Sequence, residues 1–528
     1  MKSSRSTARP CGATGAALAG NLISTMQTTT RTLLLFLITG ASAFAQYIPP
    51  SPAAPGPGAI DDFLKTSDPT LTGWDFGVNE RARSENKTDA GTTHAGSNFD
   101  FSAASPTDNS NDYWLSRLLL RLDYKNDWFT FFVEGRSSYA FSDDRYTATA
   151  PGKNMAEDDG PLQLQMAYLV FGNFKEFPVM VKVGRQELTY GDQRLVGNAF
   201  WLNIPHTFDA VKVRYQDSFF GVDLFAANLV YVDADHFEEG KSQDTLSGAY
   251  FDFPGISKDD VNEAYLFARN VSREIVTDDW SNVPAPFRFT APQDIYTLGY
   301  HAKSKPNTLG PWDYGIEAIW QFGDRTAVFP ATSVAVAKAA PRLSQNAWAF
   351  IAQTGYTLID DAYKPRLAVI VSVASGDKNS ADKESETFQN LLPSNHGLYG
   401  IMDLSSLQNI EDYRLSYTMK PSTVTSFALD FHKQYLESTD DYWYNVAGVP
   451  RNTAGAAPGS GKGFNINPGY SSDLGEELDA IAGWTVVKGL LLEAGVGRFF
   501  RGEYIKESFS KVGSKDSDYF YAQATLNL

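Results

Sequence analysis

The chain has 528 residues, a formal net charge of −17 at pH 7, 13% aromatic residues and 42 glycines. An acidic balance of this size excludes nucleic acid as a partner, which calls for a basic footprint. The only cysteine is Cys11, which leaves no pair for a disulfide framework.

Residues 1–45 carry Lys2, Arg5, Arg9 and Arg31 and no acid. After Arg31 comes the apolar run Leu33-Leu34-Leu35-Phe36-Leu37-Ile38, then Ala43-Phe44-Ala45 before Gln46. The run is shorter than the roughly 20 residues a membrane helix needs. Basic flank, short apolar run and small-x-small site together predict a secretory signal peptide over 1–45, with Met26 as an alternative start. Its removal takes away Cys11 and four basic residues, and the charge becomes −21. Residues 46–73 read as a Pro-rich spacer, with a short helix expected over 59–66.

From Trp74 onward the pattern has period two, broken by Gly, Asn, Asp and Ser clusters. Leu118, Leu120, Leu122 and Tyr124 share one face, and Arg117, Arg121, Asp123 and Lys125 the other. Phe129, Phe131 and Val133 alternate with Thr130, Glu134 and Arg136 after a tight turn at Asn126-Asp127. Similar alternation places Lys212 and Arg214, Arg366, Arg414 and Asp412, and Asp430 and His432 on polar faces. The chain stops on Phe520, Ala522, Ala524, Leu526 and Leu528 alternating with Tyr519, Tyr521, Gln523, Thr525 and Asn527. Alternation alone does not separate a membrane barrel from a soluble sandwich. Three features favour the barrel: a charged face on many successive strands, an amphipathic terminal strand, and connections alternating short and long. The long ones are expected at 142–160, 233–292, 376–410 and 438–475. The fold class expected is therefore all-β, a transmembrane antiparallel barrel over 74–528 with 16–18 strands.

No catalytic constellation stands out. The six histidines, His94, His206, His236, His301, His396 and His432, form no His-x-x-x-His pair, and no metal site, cofactor site or nucleophile elbow is expected. His206 with Asp209 is the nearest acid–base pair. Acidic pairs such as Asp143-Asp144 and Asp440-Asp441 read as solvated loop tips before calcium ligands. The densest segment is Gly184-Arg185-Gln186-Glu187-Leu188-Thr189-Tyr190-Gly191-Asp192-Gln193-Arg194-Leu195-Val196-Gly197, followed by Trp201-Leu202-Asn203 and Thr207-Phe208-Asp209-Ala210-Val211. A plain surface loop does not need so many aromatics. The segment is expected to fold against the wall or into the lumen, with Arg185 and Arg194 pairing with Glu187 and Asp192.

These runs resemble the alginate-export domain of outer-membrane proteins. Other matching pieces are Ser116-Arg117-Leu118, Ala374-Ser375-Gly376-Asp377, Pro393-Ser394-Asn395-His396, Gly475-Glu476-Glu477-Leu478-Asp479 and Gly495-Val496-Gly497-Arg498-Phe499-Phe500-Arg501-Gly502. The resemblance covers about 74–528. It implies an 18-stranded barrel whose lumen carries an arginine-rich stripe for an anionic polysaccharide. Arg185, Glu187, Asp192 and Arg194 lie in the matching motif. Arg117, Arg121, Arg136, Lys212, Arg214, Arg366 and Arg414 come from the alternation. Arginine suits a polyuronate because its planar fork meets a carboxylate in two parallel hydrogen bonds. The competing reading is that these cations pair with Asp123, Glu134, Asp412 and Asp430 and stiffen the wall. The expected partners are an anionic saccharide or small acidic solute, outer-membrane lipid and periplasmic export machinery, with the barrel a monomer. Uptake of sugars or organic acids, and an outer-membrane enzyme, are the other readings.

Overall fold

The computed structural model describes residues 58–89, 101–103, 110–143, 160–232, 237–272, 292–327, 339–358, 361–453 and 455–528. The expected signal peptide, residues 46–57 of the spacer and nearly all of the 142–160 connection lie outside them. The expected helix is present as α1, Ala59–Ser67. Nineteen strands follow: β1 Trp74–Lys87, β2 Asn111–Lys125, β3 Phe129–Phe141, β4 Gly160–Phe171, β5 Val179–Gln186, β6 Phe208–Gln216, β7 Gly221–Tyr231, β8 Glu239–Asp252, β9 Asp260–Val271, β10 Gln293–Ser304, β11 Trp312–Thr326, β12 Arg342–Thr357, β13 Arg366–Ala374, the two-residue β14 Glu384–Ser385, β15 Ile410–Ser422, β16 Thr425–Tyr435, β17 Asp473–Val487, β18 Leu490–Arg501 and β19 Ser517–Asn527. A second helix, α2, spans Glu503–Ser508.

All but β14 pair antiparallel with their neighbours, and β1 pairs with both β2 and β19. The sheet therefore closes as an 18-stranded barrel with no free edge, the solution that satisfies backbone groups within a membrane. No described helix is long and apolar enough to cross one. The outer face carries Trp114, Leu120, Leu224, Leu298, Trp320, Trp348, Val369, Leu415, Val496 and Phe520, all more than 40% exposed. So much exposed apolar surface fits a lipid-facing band.

Connections alternate short and long around the barrel, save that β7–β8 is as short as β8–β9. The short ones are closed by acid or amide side chains acting on their own backbone. Asn126 Oδ1 accepts from the Trp128 and Phe129 N–H groups at 3.0 and 2.9 Å. Asp217 Oδ1 accepts from Phe219 and Phe220 at 2.7 and 2.9 Å. Aromatic pairs gird this end: Trp74–Tyr124, Phe129–Phe171 and Trp312–Tyr356 have ring centroids 5.0, 5.3 and 4.7 Å apart. The 233–292 stretch is a correction. It holds β8 and β9 rather than one long loop.

At the other end three long connections turn inward, 187–207, 375–409 and 436–472. Their apolar residues, among them Leu188, Val196, Phe388, Leu391, Met402, Leu404, Trp443 and Phe464, are buried in one cluster with wall residues Phe208, Tyr250, Phe267 and Tyr521. This cluster is the core of the molecule, and it sits inside the barrel.

Candidate functional site

The inward segment 187–207 begins where β5 ends. Gly184 takes φ +122, and a Cβ there would lie 2.3 Å from the Ala167 carbonyl, so a side chain is excluded just before Arg185. Arg185 then meets Asp209 across the β5–β6 ladder, in bonds of 2.9 and 3.1 Å, and donates to the Glu238 carbonyl at 2.9 Å. The expected partner Glu187 instead accepts from Asn198 Nδ2 at 2.9 Å. Burial pushes the Glu187 carboxyl up, partly offset by that bond. Arg194 reaches Glu317 at 3.8 Å and the Tyr399 hydroxyl at 3.4 Å. Asp192 pairs with Lys303 and lies 3.6 Å from His301. Burial works against the charged Asp192, but Lys303, His301 and Arg194 outweigh it and hold the carboxyl low. The local pairing within the motif is therefore corrected: its charges tie the segment to the wall, to Asp209, Lys303 and Glu317, rather than to one another.

The wall clamps the segment's far end through backbone carbonyls. Arg81 donates to Phe200 O and Leu202 O, each at 3.0 Å; Arg117 donates to the same two at 3.0 and 3.1 Å; Arg83 donates to Trp201 O at 2.8 Å. Arg136 holds Glu238 in a fork of 2.9 and 3.0 Å. The remaining expected cations are paired with acids. Arg121 meets Asp123 at 2.7 Å; Lys212 and Arg214 share Asp223 at 2.9 and 3.3 Å; Arg366 forks onto Asp313 at 2.6 and 2.7 Å; Arg414 meets Asp430 at 2.8 Å. Arg117 and Arg136 gather with Arg81 and Arg83 at the inward segment. Arg121, Arg214 and Arg366 lie near the short-turn ends of their strands.

The segments also zip to each other. Val196 and Leu392 form a parallel bridge, with Gly197 N–H to Leu392 O and Leu392 N–H to Leu195 O both at 2.9 Å. Trp201 stacks on His396, centroids 3.6 Å apart and planes at 3°, and the Arg83 guanidinium carbon is 3.8 Å from the Trp201 ring centroid. Between the three segments and the β9 and β11 wall lies a cavity of about 280 Å³, bordered by Trp201, His206, Arg269, Arg325, Asn390 and His396. Burial brings the His206 imidazole down to about 4, aided by the Arg269 charge and opposed by a backbone bond to Gly197. Asp209 is committed to Arg185 and the Gly240 N–H, so the His206–Asp209 acid–base pair does not form. Among the described residues no group of three His, Cys, Asp or Glu could hold a metal ion.

Four lumen cations were not singled out from the sequence. Arg81 and Arg83 lie on β1, whose outer face, Val78, Glu80, Ala82, Ser84 and Asn86, is hardly apolar and gives no alternation. Arg269 lies within the stretch read as a loop, and Arg325 beyond the break that Gly323 makes at φ +123. A scan for arginines spaced by two, regardless of the opposite face, would have found Arg81 and Arg83.

The barrel is similar to solved porins of Pseudomonas. The BenF-like porin of Pseudomonas fluorescens Pf-5 is 11% identical with a TM-score of 0.50, over 87% of this chain and 100% of that one. OpdK of Pseudomonas aeruginosa, solved with vanillate, is 9% identical with a TM-score of 0.50, over 86% and 98%. At such identity the likeness is one of fold. No curated protein matches the sequence. The model of the family described as alginate export matches residues 75–517. Closed barrel, lipid-facing outer surface and a family match over nearly all of the described chain agree: this protein belongs to the alginate export family and is a multi-pass β-barrel of the outer membrane.

Proposed function

We propose that the barrel is a passive channel for an anionic polysaccharide or oligosaccharide such as alginate, with no reaction of its own. The observation that carries this reading is the gathering of Arg81, Arg83, Arg117 and Arg136 on the lumen faces of β1–β3, around the inward segment. Arg117 forms no ion pair among the described residues. It donates to the Phe200 and Leu202 carbonyls, which satisfy a guanidinium without neutralising it. Such a cluster favours anions where the inward segment meets the wall, and conduction requires each contact to be weak and repeated. The paired cations nearer the short turns stiffen the wall. The polymer gradient or periplasmic machinery supplies the driving force, and the barrel works as a monomer. The reading as a porin for small organic acids or sugars draws support from the cavity, whose 280 Å³ suits a single ring.

The test is the reversal potential of the channel in a planar bilayer under a salt gradient. Anion preference is expected, reduced severalfold in Arg117→Gln. Cation preference in the unmodified channel ends the polyuronate reading.

A further inference from the structure

The cavity bordered by the inward segments contains polar atoms that the protein itself leaves unused. Asn390 is 5% exposed, yet neither its Oδ1 nor its Nδ2 has a partner among the described residues. His206 Nδ1 and Asn395 Oδ1 are in the same condition. All three residues border the cavity. Buried polar side chains are almost always satisfied, and a primary amide with both ends idle calls for an explanation. Arg325 adds charge. It forms no ion pair among the described residues, and its bond to Ser385 Oγ is long, at 3.4 Å. By contrast Arg269, on the same border, is forked onto Asp244 at 3.0 and 2.7 Å.

From this arrangement we infer that the cavity is a binding site for one carboxylated, polyhydroxylated ring, of the hexuronate class. The inference rests on the reading of the chain as a channel for acidic saccharides and gives it a defined resting place. An idle amide offers one donor and one acceptor side by side. A hydroxyl both gives and takes a hydrogen bond, so neighbouring hydroxyls of a sugar satisfy Asn390 at both ends, and another can donate to the His206 or Asn395 acceptor. The guanidinium of Arg325 takes the carboxylate. A purely aromatic acid would satisfy Arg325 and leave the amides idle, and a neutral sugar would do the reverse. The volume sits near the lower end of the range for small-molecule sites, which limits the occupant to about one ring at a time. A polymer would thus be read by a single unit entering from the path.

Calorimetric titration of the full barrel folded in detergent, with sodium glucuronate, glucose and sodium benzoate, tests this without needing an open channel. Glucuronate is expected to bind in the millimolar range and the other two at least tenfold more weakly. Asn390→Leu, close in volume, should weaken glucuronate about tenfold, and Arg325→Gln should weaken glucuronate while leaving glucose unchanged. Folding of each variant is checked by heat-modifiable gel mobility, and Arg325→Gln carries the test if Asn390→Leu does not fold. Absence of glucuronate binding, benzoate binding as tightly as glucuronate, or indifference to both substitutions overturns the site. Those results leave the channel reading intact if the unmodified barrel prefers anions, whereas cation preference overturns that reading and not the titration.

Discussion

Arg366 and Asp313 show what a lumenal charge requires. Their side chains are 7% and 0% exposed and joined by two short bonds. Removing one partner strands the other charge in a poorly hydrated site, which costs about 3–5 kcal/mol. Arg366→Ala should therefore lower the urea midpoint sharply. Arg366→Met with Asp313→Leu, replacing the pair by apolar groups of similar bulk, should recover most of the loss. A double variant as weak as the single one would show that packing rather than charge is lost. His206 makes the case at a titrating group. Its folded-state value, about 4, lies below the ordinary 6.5, so the unfolded chain binds more protons between the two. Its contribution to stability is complete above 6.5 and is lost as pH falls toward 4. Glu187, held above its ordinary value, acts in the opposite sense. The comparison that isolates His206 is His206→Asn against the unmodified barrel. The variant should gain relative stability on acidification through that window, and a constant difference would contradict this.

At the scale of elements, what could be read depended on which side of a strand was apolar. β2 was legible because lipid demands Leu118, Leu120 and Leu122 outside while Arg117, Arg121 and Asp123 point in. β8 and β9 were not. Their lumen faces hold Leu246, Tyr250, Tyr265 and Phe267, buried in one cluster with Tyr190 of the inward segment, with Tyr190–Tyr250 centroids 4.6 Å apart. A strand apolar on both sides, or small and polar outside, loses its period of two. The same packing explains why the motif from Arg185 to Gly197 was rightly expected to fold inward while its ion pairs were misassigned. Composition reveals burial, but partners come from β6, β10 and β11, outside the motif. The bridge between Val196 and Leu392 gives this element a test. Parallel neighbours sit about 4.8 Å apart, within disulfide reach, and no described residue is a cysteine. Val196→Cys with Leu392→Cys should oxidise to a cross-link. If solute passes by separation of the two segments, the cross-linked channel should lose most of its conductance and regain it with reductant. Unchanged conductance would mean that the path runs beside a fixed plug.

For the whole molecule, closure is the decisive property. β19 completes the wall by pairing with β1 over Asn79↔Asn527 to Lys87↔Tyr519. Deleting 519–528 opens two edges at once inside a membrane, and each unsatisfied backbone group there costs several kcal/mol. The truncated chain should lose heat-modifiable mobility entirely; retention of the fast-migrating folded band would contradict the closed architecture. A strand total of 16–18 and most of the alternation of short and long connections were legible in the sequence, because both follow from membrane thickness and chain length; the figure of 18 came from the family resemblance. The contents of the lumen were not, because they depend on which connections fold back. The seam itself has a further consequence, for the order of assembly. Asn79 donates to Asn527 across 448 residues of chain at 2.7 Å, and the Asp61 carboxylate of α1 accepts from the Phe76 N–H beside that seam at 3.0 Å. Apart from the pairings around the two-residue β14, every other strand pair joins neighbours in the chain, so loop-closure entropy ranks this joint as the slowest to form. The helix ahead of β1 then behaves as a latch on the last joint made, and a barrel caught during biogenesis should be complete everywhere except there.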